Sequence, residues 1–192
     1  RGRKYVAITD AGTAQDERTA LIVYKRETTV EGSRQICRIP LFTDKGSAVE
    51  ISPIGWGRAL VVKNDAGYRS AFHGTSEAKI PGGIWRIDIR EDDSGCDVLW
   101  QVPERVPAVV NKLSTNGLLY YYTFEEQPDG ENAWFFIALD FVTGKTVYKK
   151  FVGLGQKFDI NWGSPAIARD GTVYLGILEG IVQIADGSAE GE

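Results

Sequence analysis

Apolar residues along the chain come in short runs, rich in Val, Ile, Leu, Tyr and Trp and closed off by Gly, Asp, Asn or Pro. Side chains of a strand alternate between two faces, and β-branched and aromatic residues suit a pleated surface, so these runs predict strands. Fourteen are identifiable: Lys4–Thr9, Ala20–Lys25, Gln35–Leu41, Ala48–Ile54, Ala59–Lys63, Ile84–Ile89, Asp97–Val102, Ala108–Leu113, Leu118–Phe124, Trp134–Phe141, Thr146–Phe151, Pro165–Ala168, Thr172–Ile177 and Gly180–Ala185. The spacing of an amphipathic helix is nearly absent.

The runs repeat. Gly2–Gly12 aligns without a gap on Gly57–Gly67, and the same strand entry returns at Gly117-Leu118-Leu119-Tyr120 and Gly171-Thr172-Val173-Tyr174, with spacings of 55, 60 and 54 residues. A period near 55 holding four short strands predicts the blades of a β-propeller, longer than WD40 blades and without their Trp-Asp signature. A second marker reads strand, turn, strand in Ala138–Tyr148 and, with a longer turn, in Arg86–Trp100. There Asp140 should accept turn amides, Gly144 should take a positive φ, and Tyr148 should pack between neighbouring blades. Cys37 falls at the offset of Trp100 from a turn glycine. It is therefore expected buried as a small apolar residue, with no bridge to Cys96.

The stretch Ala138-Leu139-Asp140-Phe141-Val142-Thr143-Gly144-Lys145-Thr146-Val147-Tyr148 resembles the tryptophan-docking repeat of quinoprotein-type (PQQ-repeat) β-propellers, with Tyr148 in place of the Trp. Asp170–Gly176 followed by Gly180–Asp186 is similar to the same repeat. The resemblance is loose over the whole chain and close over residues 133–187. It implies an all-β propeller of four-stranded antiparallel blades. That family holds quinone-dependent dehydrogenases, assembly scaffolds and secreted proteins. The dehydrogenases need metal-binding carboxylates and cofactor-stacking groups around the axis, and no such set is identifiable here, so the quinone itself is not expected.

Labelled a to d from axis to rim, the strands divide into blades over about 1–41 (b, c, d), 48–102 (a to d), 108–151 (a to d) and 165–187 (a, b, c), with a frayed tail at 188–192. That is about three and a half blades of one propeller. Propellers close with more, so a complementary half on another chain is expected; a four-bladed ring is the alternative. Half a ring would leave apolar faces and sheet edges open. With no Met and an Arg1-Gly2-Arg3 start, the chain is expected to be a processed, split or partial product.

Composition narrows the function classes. The 192 residues are 43% hydrophobic and 25% charged, with a net charge of −4. That suits a folded domain and argues against nucleic acid or an anionic membrane surface as partner. No run of about 18 apolar residues predicts a membrane span. Two cysteines without nearby His or Cys at ligand spacing predict no metal site.

Propeller sites usually lie at the axis, in the loops from each rim strand to the next inner strand. Those loops span residues 42–50, 103–111 and 152–164. Their candidate ligand-binding residues are Glu50, Asn111, Asp159, Asn161 and Trp162. A carboxylate and two amides at a channel mouth could bind Ca²⁺ or a sugar hydroxyl, although Asn and Asp at strand entries more often cap turns. The single histidine, His73, lies in the polar loop Tyr68–Lys79 with no acid partner in view. The acidic loops Asp92–Ser94 and Glu125–Asn132 read as solvated hairpin tips, and Gly55-Trp56-Gly57 as a turn with Trp56 between blades. The expected function is a secreted or periplasmic binding or scaffold module working through its axial face and inter-blade loops, ligand unknown. A propeller hydrolase or lyase on a saccharide or lactone is the alternative, and a quinone-dependent dehydrogenase the third.

Overall fold

The structure is a computed structural model that describes residues 4–10, 19–26, 34–42, 52–64, 83–104, 106, 112–160 and 163–185. It is all-β, with fourteen strands among the described residues. The first sheet is β1 (Tyr5–Asp10), β2 (Ala20–Lys25) and β3 (Arg34–Pro40). The second is β4 (Ile54–Trp56), β5 (Ala59–Lys63), β6 (Ile84–Ile89) and β7 (Cys96–Val102). The third is β8 (Lys112–Leu113), β9 (Leu118–Glu126), β10 (Asn132–Asp140) and β11 (Thr146–Leu154). The fourth is β12 (Ala166–Ile167), β13 (Val173–Ile177) and β14 (Gly180–Ile184). Every sheet is an antiparallel meander with neighbours in chain order. The first two sheets form one compact unit and the last two another.

Backbone hydrogen bonds show that the sheets are copies of one unit. Arg26 N donates to Lys4 O, Ile89 N to Arg58 O and Phe141 N to Gly117 O, each at 2.9 Å. In each of those sheets the last strand also carries one extra residue. Ile36 lies between the pairs Val23–Cys37 and Tyr24–Gln35, Leu99 between Arg86–Trp100 and Ile87–Val98, and Val147 between Ala138–Tyr148 and Leu139–Thr146. A bulge bends the strand that carries it and raises its twist. The turn before β13 repeats the one before β9: Gly117 N donates to Ser114 O and Gly171 N to Ala168 O, both at 3.1 Å. Lys4, Arg58, Gly117 and Gly171 are therefore equivalent. The spacings become 54, 59 and 54, and the gapless match of Gly2 on Gly57 is one residue out of step. The turn that precedes this position in the second sheet is tight, joining Trp56 to Ala59 with Gly57 at φ 61°.

Cys37, Trp100 and Tyr148, each following a bulge, occupy one position, as the offsets of Cys37 and Trp100 suggest. The face that carries this position is called the front, and the opposite face the back. The front of the first sheet packs on the back of the second. Leu21 and Val23 meet Leu60, Val62, Ile87 and Ile89, with Leu41 and Phe42 beside them and Tyr5, Ala7, Ile39 and Trp85 at the margin. Burying each such aliphatic side chain contributes about 1.5–3 kcal/mol.

Two expectations at the docking position need correction. Cys37 is only partly buried and is bonded to Cys96, with the Cα atoms 5.9 Å apart. The front-on-back packing brings β3 against the start of β7, a proximity that spacing along the chain does not show. Tyr148 is not enclosed: it is 41% exposed, and its ring lies 6.4 Å from that of Tyr120 and 6.3 Å from that of Phe136 in its own sheet. Tyr148→Ala is accordingly expected to cost about 1–2 kcal/mol in a urea melt, less than the roughly 3–5 kcal/mol of a buried ring. A loss below about 0.5 kcal/mol, the range of plain surface changes, would contradict these ring contacts.

The β10–β11 turn forms as the sequence predicts. Asp140 Oδ1 accepts from the Thr143 amide and hydroxyl, both at 2.7 Å, and Gly144 has φ 70°. The Thr143 hydroxyl, then its amide, hold the Asp140 carboxyl below its ordinary value of 3.8. The Thr172 amide, then its hydroxyl, do the same for Asp170. Because the folded values are depressed, this stabilisation is complete above 3.8 and is lost as pH falls through the folded values. Carboxyl-carbon NMR titration should give midpoints under 3.8 for both, and midpoints at or above 3.8 would contradict the turn geometry.

Candidate functional site

An enclosed charge cluster joins the first sheet to the second. Asp93 lies in the β6–β7 turn with φ 59°, which swings its carboxylate inward until it is 4% exposed. Asp92 and Ser94 on either side stay in solvent, Asp92 accepting from the Ser94 amide at 2.9 Å. The middle of the supposed solvated tip is thus a buried anion, because a left-handed residue reverses the direction of its side chain. Its Oδ1 accepts from the Tyr5 hydroxyl at 2.6 Å and from Arg58 Nη2 at 2.9 Å, and Lys25 Nζ lies 3.0 Å from Oδ2. Arg58 also donates through Nη1 to the Tyr5 oxygen at 2.6 Å and through Nε to the Ile89 carbonyl at 2.8 Å. Both carboxylate oxygens are engaged. The arrangement works as a clasp, on the same pair of sheets that the disulfide links.

A second enclosed group lies in the other unit, in the loop after β11. A 3-10 turn, Gln156–Phe158, sets the Phe158 ring over Gly153, where a Cβ would lie 2.3 Å from ring atoms, so only glycine fits. The Tyr122 hydroxyl donates to the Phe158 carbonyl at 2.9 Å, and Trp134 Nε1 donates to the Gly155 carbonyl at 2.9 Å. Asp159 is buried, and its backbone carbonyl accepts from Leu178 N at 2.9 Å, tying the loop to the β13–β14 turn. Burial pushes the Tyr122 phenol well above its ordinary value, and the Asp159 carboxylate adds to the shift. Tyr122 stays protonated and donating across the physiological range.

Of the predicted axial residues, Asp159 is buried within this loop. Glu50, Asn111, Asn161 and Trp162 lie outside the described residues, as does His73. In the 103–111 loop, Glu104 has one buried carboxylate oxygen with no hydrogen-bond partner among the described residues. Trp56 does not pack between sheets: it ends β4 and is exposed. The Glu125–Asn132 tip is mostly exposed, as expected.

Sequence reasoning missed Asp93 and its partners. The available signal was a carboxylate between two other polar turn residues, with Arg58 in the turn that recurs one period after Lys4. Among the described residues, no group of three or more His, Cys, Asp and Glu is placed to hold a metal ion, and no helix is long and apolar enough to cross a membrane. No protein-family model matches the chain, and neither does any curated protein sequence.

Proposed function

We propose that the chain is a scaffold built of stacked propeller-type blades of the quinoprotein-like kind, which acts by presenting sheet faces and loops to a binding partner. The observation that carries this is how the polar groups are used. Asp93 is consumed by the clasp, and Asp140, Asp170 and Asp92 by turn amides. The repeated bonds and bulges of the first three sheets support the blade register. The disulfide favours an oxidising, secreted or periplasmic setting, since such bridges persist where thiols are not kept reduced.

Thermal melts with the quinone cofactor, with Ca²⁺ and with a panel of oligosaccharides test this. A scaffold shows no saturable rise in melting temperature with the quinone, because binding to the folded state alone must raise it. A saturable rise with the quinone would replace the scaffold reading by the dehydrogenase, and a rise with a saccharide would favour the hydrolase or lyase.

A further inference from the structure

β11 lies in the interior of the sequence and within one compact unit. It pairs with β10 on one side and, among the described residues, with no strand on the other. Of the three equivalent last strands it is the longest, nine residues against seven in β3 and seven in β7. β3 ends in Pro40, which has no amide to offer a further strand. β11 contains no proline and no acidic residue, and its two charges are Lys149 and Lys150, both exposed. Val147 is 55%, Phe151 51% and Leu154 48% exposed. Between its two irregularities the strand runs in unbroken register from Tyr148, opposite Ala138, to Phe151, opposite Phe135. Along such a stretch alternate residues turn their amide and carbonyl outward.

The charges decide what can pair there. A two-fold pairing of two β11 strands centred on this stretch would set lysine against lysine, and like charges directly opposite destabilise a sheet. The same lysines favour an acidic strand. Lys149 lies on the back of the sheet, where it already meets the Glu125 carboxylate and lies 4.1 Å from the Phe135 ring centroid, so the position accepts an acid beside an aromatic surface. Phe151 shares that face, its ring edge-on to Phe135 at 5.7 Å. Lys150 projects to the front, because neighbours in a strand alternate. We propose that the outer edge of β11 docks an extended acidic segment of another protein, which joins the third sheet as one more strand. Its backbone pairs with Tyr148–Phe151, two consecutive acidic residues stand opposite Lys149 and Lys150, and an apolar residue stands opposite Phe151. This rests on the scaffold reading and names the chemistry of its partner.

Fluorescence anisotropy tests it with a labelled, end-blocked peptide that repeats Val-Glu-Glu-Val. The wild-type chain is expected to bind it saturably. Lys150→Glu should weaken binding about tenfold, because a cross-strand attraction becomes a repulsion. The double variant Lys149→Glu with Lys150→Glu should lose the acidic peptide and bind one that repeats Val-Lys-Lys-Val, a reversal that misfolding cannot produce. Circular dichroism melts check that both variants fold. Hydrogen exchange should show added protection of amides in Thr146–Leu154 when the acidic peptide is bound, and none in β7. No saturable binding by the wild-type chain would overturn the proposal, as would equal binding of the two peptides or protection confined to other strands. Self-association that protects the same amides without peptide would assign the edge to a second copy and overturn it too. None of these results touches the melts with quinone, which alone decide the scaffold reading, so the two failures are distinguishable.

Discussion

Removing the Cys37–Cys96 bond, by reductant or by Cys37→Ala with Cys96→Ala, is expected to lower the unfolding free energy by about 4 kcal/mol. The bond joins residues 59 apart in sequence, and closing a loop of that size restricts the unfolded chain by about this amount in the chain-entropy account. The position also explains why a covalent link stands there. Cys37 occupies the place that Trp100 and Tyr148 fill in the next two sheets, and a cysteine presents far less apolar surface than an aromatic ring. Guanidinium melts followed by circular dichroism, with and without reductant, read the difference. A change below about 1 kcal/mol would mean that the bridge is dispensable to the folded state.

Asp93→Ala is expected to cost about 3 kcal/mol, the second largest effect. Removing the anion takes from Arg58 and Lys25 the carboxylate that both face, and leaves the Tyr5 hydroxyl without its acceptor. Breaking one side of a buried ion pair typically costs about 3–5 kcal/mol, and the partial exposure of both cations sets the value at the lower end. Asp93→Asn should cost less, since its amide oxygen still accepts from Tyr5 and Arg58. Denaturant melts of the two variants give the ranking, and an Asn variant at least as unstable as the Ala variant would contradict this geometry.

The strands were legible because each one announces itself locally. β2, β5, β9 and β10 read as dense runs of β-branched and aromatic residues, and the structure buries both faces of all four. Asp140 and Gly144 were legible for the same reason, since a turn is made by residues that are neighbours in sequence. The short strands were less clear. The run Ala48–Ile54 predicted an inner strand that the structure begins only at Ile54, with residues 43–51 outside the described set. Features that depend on two sheets meeting were hidden. Asp93 faces inward through one left-handed backbone angle, and Cys37 finds Cys96 only through the stacking of faces. The register error of one residue between Gly2 and Gly57 became visible only from the strand pairing, which makes Lys4 equivalent to Arg58. The sequence marked a loop after the strand at Thr146–Phe151, but nothing in it said that Asp159 would be enclosed there.

The central claim is that the first sheet stacks its front on the back of the second in a fixed register, with Cys37 at the docking position. Only that stacking brings residues 59 apart in sequence to a Cα separation of 5.9 Å. The direct measurement is the intact mass of the denatured chain after treatment with a thiol alkylating reagent, with and without prior reduction. The account predicts no alkylation without reductant, two alkyl groups after it, and an unreduced mass lighter by two hydrogens at the size of a single chain. Two alkyl groups added without reductant, or a link between two chains, would contradict it.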